Sequence, residues 1–420
     1  DEQKTVAYES SYMNGTYFDE IYHARTGYEF NCGADIYEWT HPPLGKIFIA
    51  LGIKLFGMTP FGWRFAGAFF GVLIIPVIYI FAKEIFKSRR AATLAAILLS
   101  VDFMHFTMSR IATIDSFASF FALLMFLFMY KFMQTDLTEM HSVLKYLFLT
   151  GLTFGIGIAV KWTCVYSGAG LFVLFLIYMI RVYKMREQYE NYTKKTVKII
   201  LCCVLYFVII PALVYWVSYM PYAFLKSGNE KITVMFKIQK DMLEYHKNLD
   251  ATHFFSSMWY QWPIMYKPIW FLSETYAERG TISSISAFGN PVIWWTSISA
   301  AAVFAAIFIK KARKGENTSD LTFLTVGWLA QYLPWFFVTR VVFIYHYYNS
   351  VPFIILILVY VIKHLYDNAK SKKLAEYSVY AFTAAAIIAF IAFFPVISGI
   401  PMSPAYARAL TWFPTWYFGG

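Results

Sequence analysis

From residue 61 onward, long apolar runs alternate with short charged stretches, as in "FGVLIIPVIYIFAKEIF" (70–86) followed by "KSRR". Runs long enough to cross a hydrocarbon core of about 30 Å read as transmembrane helices. The pattern predicts about ten, near 61–82, 91–108, 115–133, 146–160, 165–180, 197–219, 291–309, 320–338, 346–362 and 376–394. The second, fourth and fifth are short or interrupted. Three stretches fall outside this series: 1–60, 220–290 and 395–420.

Composition agrees with an all-α polytopic membrane protein. The 420 residues are 59% hydrophobic and only 15% charged, whereas a soluble domain carries about a quarter of its residues as charges. The net charge of +11 is concentrated in alternate loops: Lys83 to Arg90, Lys131 and Lys145, Arg181 to Lys198, Lys310 to Lys314, and Lys363 to Lys373. The positive-inside rule makes these cytoplasmic, so the charge reports topology and does not imply nucleic acid. Segment 1–60, loop 220–290 and tail 395–420 are then extracytoplasmic, flanking transmembrane blocks 61–219 and 291–394. The chain opens on Asp1 on the outer side with no leader or earlier span, so a further helix is expected ahead of it in a longer protein. Of the four cysteines, Cys32 alone lies in an outer loop and Cys202 and Cys203 adjoin within a span, so no disulfide framework is expected.

Ionisable groups at membrane depth are costly and face a cavity or a partner. Arg64, Arg110, Asp115, Lys161, Arg340 and His346 all fall at outer span ends, the side that should be poor in cations. They read either as snorkelling anchors or as a shared site for an anionic ligand, for which a phosphate is the natural candidate. Asp102, placed deeper, reads as a partner for one of these cations.

"YFDEIYHARTGYEF" (17–30) places an acidic pair, Asp19 and Glu20, at the start of a helix predicted over 16–30 behind Asn14-Gly15-Thr16. Asp19 and His23 are one turn apart on one face. The pair reads as capping acids, or as a base beside a phosphate site. In "YEWTHPPLGKIF" (37–48), His41 leads a proline pair and Lys46 follows. Trp259, Tyr260, Trp262, Tyr266 and Trp270 in loop 220–290 suit an interfacial belt or stacking on a sugar or peptide. No His/Asp/Glu group has metal-ligand spacing.

"FDEIYHAR", "YEWTHPPLGK" and "PFGWR", followed by "SRIATIDS" (109–116), "GIAVKWT" (157–163), "QWP" (261–263), "GNPVIWW" (289–295) and "RVVFIYHYYNSVPF" (340–353), together resemble the protein O-mannosyltransferase family. The likeness runs through nearly the whole chain. It implies a GT-C glycosyltransferase fold and an inverting enzyme that moves mannose from a dolichyl or other polyprenyl phosphate to Ser or Thr hydroxyls of translocated proteins. Asp19 would stand at the reaction centre with Glu20 beside it. Arg64, Arg110, Lys161, Arg340 and Lys46 are candidates for the donor phosphate, and His23, His41, Asp115, His346 and Trp262 for other site roles. No cofactor or metal is required. Loop 220–290 leaves no room for the luminal sugar-binding-like domain of eukaryotic members, which implies a bacterial member in the plasma membrane, its partners being the lipid-linked donor, a secreted or membrane protein acceptor and surrounding lipid. Oligomeric state is open. Two rival readings are transfer to a lipid or cell-wall glycan, and a transporter. The gathering of charge at one face and the lack of an inverted repeat count against the transporter.

Overall fold

The computed structural model describes residues 11–249, 251–276 and 280–419. The helix expected ahead of Asp1 and the first ten residues of the outer segment lie outside the described residues.

Segment 11–60 carries α1 (Glu20–Cys32) and α2 (Leu44–Phe56), which pack on one another and on α3 (Pro60–Phe86). Then follow α4 (Arg89–Ser100), α5 (Phe103–Arg110), α6 (Asp115–Gln134), α7 (Met140–Val160), α8 (Cys164–Lys184), α9 (Tyr192–Val204) and α10 (Ile210–Ser218). Short α11 (Met220–Phe224) and α12 (Glu230–Asn248) lead to a two-stranded antiparallel hairpin, β1 (Ile269–Tyr276) and β2 (Thr281–Ala287). The chain closes with α13 (Pro291–Arg313), α14 (Ser319–Tyr332), α15 (Val351–Asn368), α16 (Lys372–Ser398) and α17 (Pro404–Leu410).

Among the described residues, eight helices are long and apolar enough to cross a membrane, and up to nine if the bent pair α4 and α5 forms one span. Two of the expected ten spans account for the difference. The second breaks at Val101 and Asp102 with a 59° bend, and the eighth is the 14-residue α14, which tightens into a 3₁₀ turn at Leu333–Phe337. The fourth and fifth are full-length instead, because polar residues at the Met140 end of α7 and the Lys184 end of α8 remain helical.

Asp102 explains the break. Its carboxylate accepts from the His105 backbone N–H (3.0 Å), the Trp294 indole (2.8 Å) and the Asn290 backbone N–H (3.3 Å), capping α5 at its first turn. The expectation that it pairs with a cation is therefore corrected: buried amide and indole donors satisfy it.

The core centres on α6. Its apolar stretch is 78% buried, against 11% for span 192–218, which therefore lies at the lipid-facing edge. Span 192–218 joins α9 and α10 through a π turn at Leu205–Ile209 and is held by α7, whose Gly151 and Gly155 make one small-residue face. A Cβ at Gly151 would come within 2.3 Å of the Tyr206 carbonyl, and one at Gly155 within 2.9 Å of Pro211, so the backbones approach as only small residues allow.

Candidate active site

A cavity of about 540 Å³ opens where the first residues of α6 and α8 meet the end of α7, beneath α1 and α12. It lies at the bundle end opposite the loops rich in Lys and Arg. Asp19, His23, Glu38, His41, Lys161, His246, Arg340 and His346 line it.

Asp19 is the N-cap residue of α1, so the helix begins later than the pattern predicts. Phe18, just ahead of it, adopts a left-handed backbone with φ of 55°, a conformation a bulky residue takes only when its surroundings hold it. Its ring stacks on Phe271 of β1 at 4.1 Å and meets Tyr345 edge-on at 5.4 Å. This kink turns Asp19 toward the cavity while sending Glu20 inward. The Asp19 carboxylate has no hydrogen bond or ion pair among the described residues. Burial pushes it up to about 7, against the pull of Lys161, while the charges of Asp115 and Glu38 add to the rise.

Glu20 does not reach the cavity. Fully buried, it takes a bidentate fork from Arg64 (2.8 and 2.7 Å) and accepts the Ala112 backbone N–H at 3.0 Å. Arg64 spends its other donors on the Met13 and Gly15 carbonyls, at 2.6 and 2.7 Å. The two residues stitch α1 to α3 and to the turn before α6.

The remaining candidate cations divide in the same way. Arg110 donates to the Ser398 carbonyl at the end of α16, capping that helix. Lys46 is fully buried and bonds to the Glu38 carboxylate, the Glu38 carbonyl (3.0 Å) and the His41 carbonyl (3.0 Å). All three of its bonds fall within residues 38–41, so it locks the His-Pro-Pro turn from inside. Burial would raise the Glu38 carboxyl, but Lys46, His41 and His23 outweigh it and hold the group well below the usual carboxylate range. Arg64, Arg110 and Lys46 thus depart from the expectation of a shared anion site: none of them lines the cavity, backbone carbonyls and carboxylates occupy Arg64 and Lys46, and Arg110 turns one amino group to the end of α16.

Lys161 and Arg340 do face the cavity. The Lys161 ammonium pairs with Asp115 at 2.7 Å and lies 5.7 Å above the Tyr345 ring. The guanidinium of Arg340, half-buried on the loop before residues 344–350, makes no hydrogen bond or ion pair among the described residues. His346 accepts the Phe343 backbone N–H at 3.1 Å and packs against Trp335 and Tyr345, with ring centres 4.5 and 4.3 Å away. Trp262 stands behind it, fully buried, its indole donating to the Ser257 carbonyl at 3.0 Å. It supports the wall and does not touch the cavity. Among the described residues no group of three or more His, Cys, Asp or Glu is placed to hold a metal.

One family, dolichyl-phosphate-mannose-protein mannosyltransferase, matches residues 58–223, and the C-terminal four-transmembrane region of protein-O-mannosyltransferase matches residues 232–416. The chain belongs to the protein O-mannosyltransferase family. It is 25% identical to the polyprenol-phosphate-mannose–protein mannosyltransferase of Mycolicibacterium smegmatis, over 90% of this chain and 81% of that one. In fold it is similar to the Saccharomyces cerevisiae protein O-mannosyltransferase Pmt1-Pmt2 complex bound to its sugar donor, with a TM-score of 0.83 at 14% identity, covering all of this chain and 92% of the other. ArnT from Cupriavidus metallidurans is a more distant likeness, at a TM-score of 0.57 and 14% identity over 92% of this chain and 73% of that one. The architecture is the GT-C fold that the resemblance implies.

Two features of the cavity in this mannosyltransferase escape a reading of motifs. His246 reaches the cavity from α12, where nothing in "DMLEYHKN" marks it. Glu38 stands inside the quoted "YEWTHPPLGK", but its pairing with Lys46 is a contact that only the folded turn creates. The polar chain from the Trp162 indole to the Tyr215 hydroxyl (2.9 Å) and on to Gln239 (2.6 Å) fixes α12 over the cavity.

Proposed function

We propose that this membrane glycosyltransferase carries mannose from a polyprenyl phosphate to Ser or Thr hydroxyls of translocated proteins, at the extracytoplasmic face. The observation that carries the reading is the pairing, in one cavity, of an unbonded carboxylate near neutrality with two cations, one of them free. Asp19 takes the proton of the acceptor hydroxyl. The oxygen attacks the anomeric carbon as the bond to the phosphate oxygen breaks, inverting that centre, and the electron pair leaves with the lipid phosphate. Lys161 and Arg340 meet the charge that develops there, which favours the transition state over the ground state. Asp115 positions Lys161. The lipid tail confines the donor to the level of the cavity, which lies at helix ends.

The basic loops at the opposite bundle end support placement outside the cell. On this reading α1, the His-Pro-Pro turn and α12 close over the site, and the two helical blocks supply its frame.

The test is transfer of radiolabelled mannose from synthetic polyprenyl phosphate mannose to a Ser/Thr-rich peptide, with wild type beside Asp19→Asn. Label on the peptide that disappears in the variant supports the reading. Donor binding without label on any peptide would move the acceptor to a glycan or lipid, and full turnover by Asp19→Asn would sink the base assignment.

A further inference from the structure

The cavity that holds the two cations is also lined by three imidazoles from separate parts of the chain. His23 comes from α1, His41 from the His-Pro-Pro turn and His246 from α12. Their ring centres are spaced 6.3 Å (His23 to His41) and 5.5 Å (His41 to His246). A buried histidine normally finds partners for its ring nitrogens. Here they are missing: the Nδ1 atoms of His23 and His246 are buried without any hydrogen bond, and His23 is only 3% exposed.

The tautomer of His246 follows from its one bond. Its Nε2 lies 2.9 Å from the Thr40 carbonyl, which can only accept, so Nε2 carries the proton in the neutral ring and Nδ1 is left as an acceptor. His23 Nδ1 stands 4.0 Å from the Glu38 carboxylate, beyond hydrogen-bond reach. Burial keeps all three rings uncharged near pH 7, with His23 lowered to about 4, His41 well below its ordinary value and His246 lowered as well.

We infer that this imidazole wall reads the hydroxyl groups of the transferred hexose, with His246 Nδ1 accepting a hydrogen bond from one of them. The inference rests on the mannosyltransferase reading above. Neutral imidazoles suit a polyol, because each ring offers a donor and an acceptor while each hydroxyl can answer either. A phosphate calls for cations, which the same cavity supplies in Lys161 and Arg340. The acceptor peptide brings one reacting hydroxyl, which Asp19 serves, whereas two unsatisfied nitrogens, those of His23 and His246, call for further hydroxyls on one face. His23 is one turn beyond Asp19, so the wall adjoins the reacting carbon.

Binding isolates this role from catalysis. The probes are polyprenyl phosphate mannose, the same polyprenyl phosphate without sugar, and a set of deoxymannose donors, each titrated against the full chain as wild type, His246→Gln and His246→Phe. Wild type should bind polyprenyl phosphate mannose at least about tenfold more tightly than it binds one of the deoxy donors. Both variants should bind the sugar-free lipid as wild type does, which checks their fold, and should no longer distinguish that deoxy donor from mannose. An unchanged penalty for every deoxy donor in both variants would overturn the inference. Loss of sugar-free lipid binding in both would overturn it too, since His246 would then hold the fold and not the sugar. Failure of the transfer assay with the sugar preference intact would remove the protein-acceptor reading and leave the wall standing.

Discussion

Asp19 is left without a partner while neighbouring Glu20 is fully bonded to Arg64, and burial carries the Asp19 carboxyl from its ordinary 3.8 to about 7. The folded state therefore binds this proton more tightly than the unfolded chain. The stabilisation is fully present below about pH 4 and is lost as pH rises through 7. Asp19→Asn should accordingly lower transfer by about 10²–10⁴-fold yet raise the melting temperature, with a gain that grows between pH 4.5 and 8 and is at most on the order of 4 kcal/mol. Wild-type transfer should climb with pH and level off above 7, a profile read from initial rates at saturating donor. Glu20→Ala and Arg64→Ala should behave differently, losing about 3–5 kcal/mol because each strands a buried charge, which thermal unfolding will register whether or not donor is present. That the acids are adjacent was plain in the sequence, but which one is free was not. Neighbours at a helix start point in different directions, and only the kink at Phe18 decides which faces the cavity. The same holds for the cations. Arg64, Arg110, Lys46, Lys161 and Arg340 look alike as charges at span ends, and the carbonyls and carboxylates that occupy the first three come from residues as distant as Ser398.

Elements were legible where they follow a simple period. The long apolar helices were, and their errors lie at ends and breaks: Asp102 bends one span through donors almost two hundred residues away in the chain, which no local pattern announces. The hairpin carried little signal: "TISSISA" (281–287) sets its two isoleucines three apart, off the strand period of two, in a loop that reads as aromatic-rich. This hairpin matters to the site because Phe271 holds Phe18 in its strained conformation. Phe271→Ala should therefore reduce kcat by tenfold or more through a misplaced Asp19, as geometry at a reacting centre is sensitive to shifts of about 1 Å. Binding of sugar-free lipid phosphate should stay within about twofold of wild type, and equal loss of both would argue for general unfolding.

For the whole molecule, topology came from charge alone, and the cavity falls at the end of the bundle away from the basic loops. In a Cys32→Ser background, Lys240→Cys should react with a membrane-impermeant maleimide in intact cells, and Lys314→Cys only after permeabilisation. The reverse pattern would place the cavity in the cytoplasm. The fold family was legible because its motifs sit in the segments and span ends around the site, whereas the roof supplied by α12 depends on tertiary contacts with Trp162 and Thr40.

The unpaired guanidinium of Arg340 has a cost on the far side of the reaction. A sugar-bearing lipid phosphate is a diester with one negative charge, and the lipid phosphate left behind is a monoester with close to two near pH 7. Fixed cations that ease its departure from the sugar also detain it once free, so the spent carrier should be the tightest-bound lipid of the cycle. Polyprenyl phosphate should therefore inhibit competitively at concentrations below those at which the donor saturates, and Arg340→Ala should slow the chemical step while relieving that inhibition.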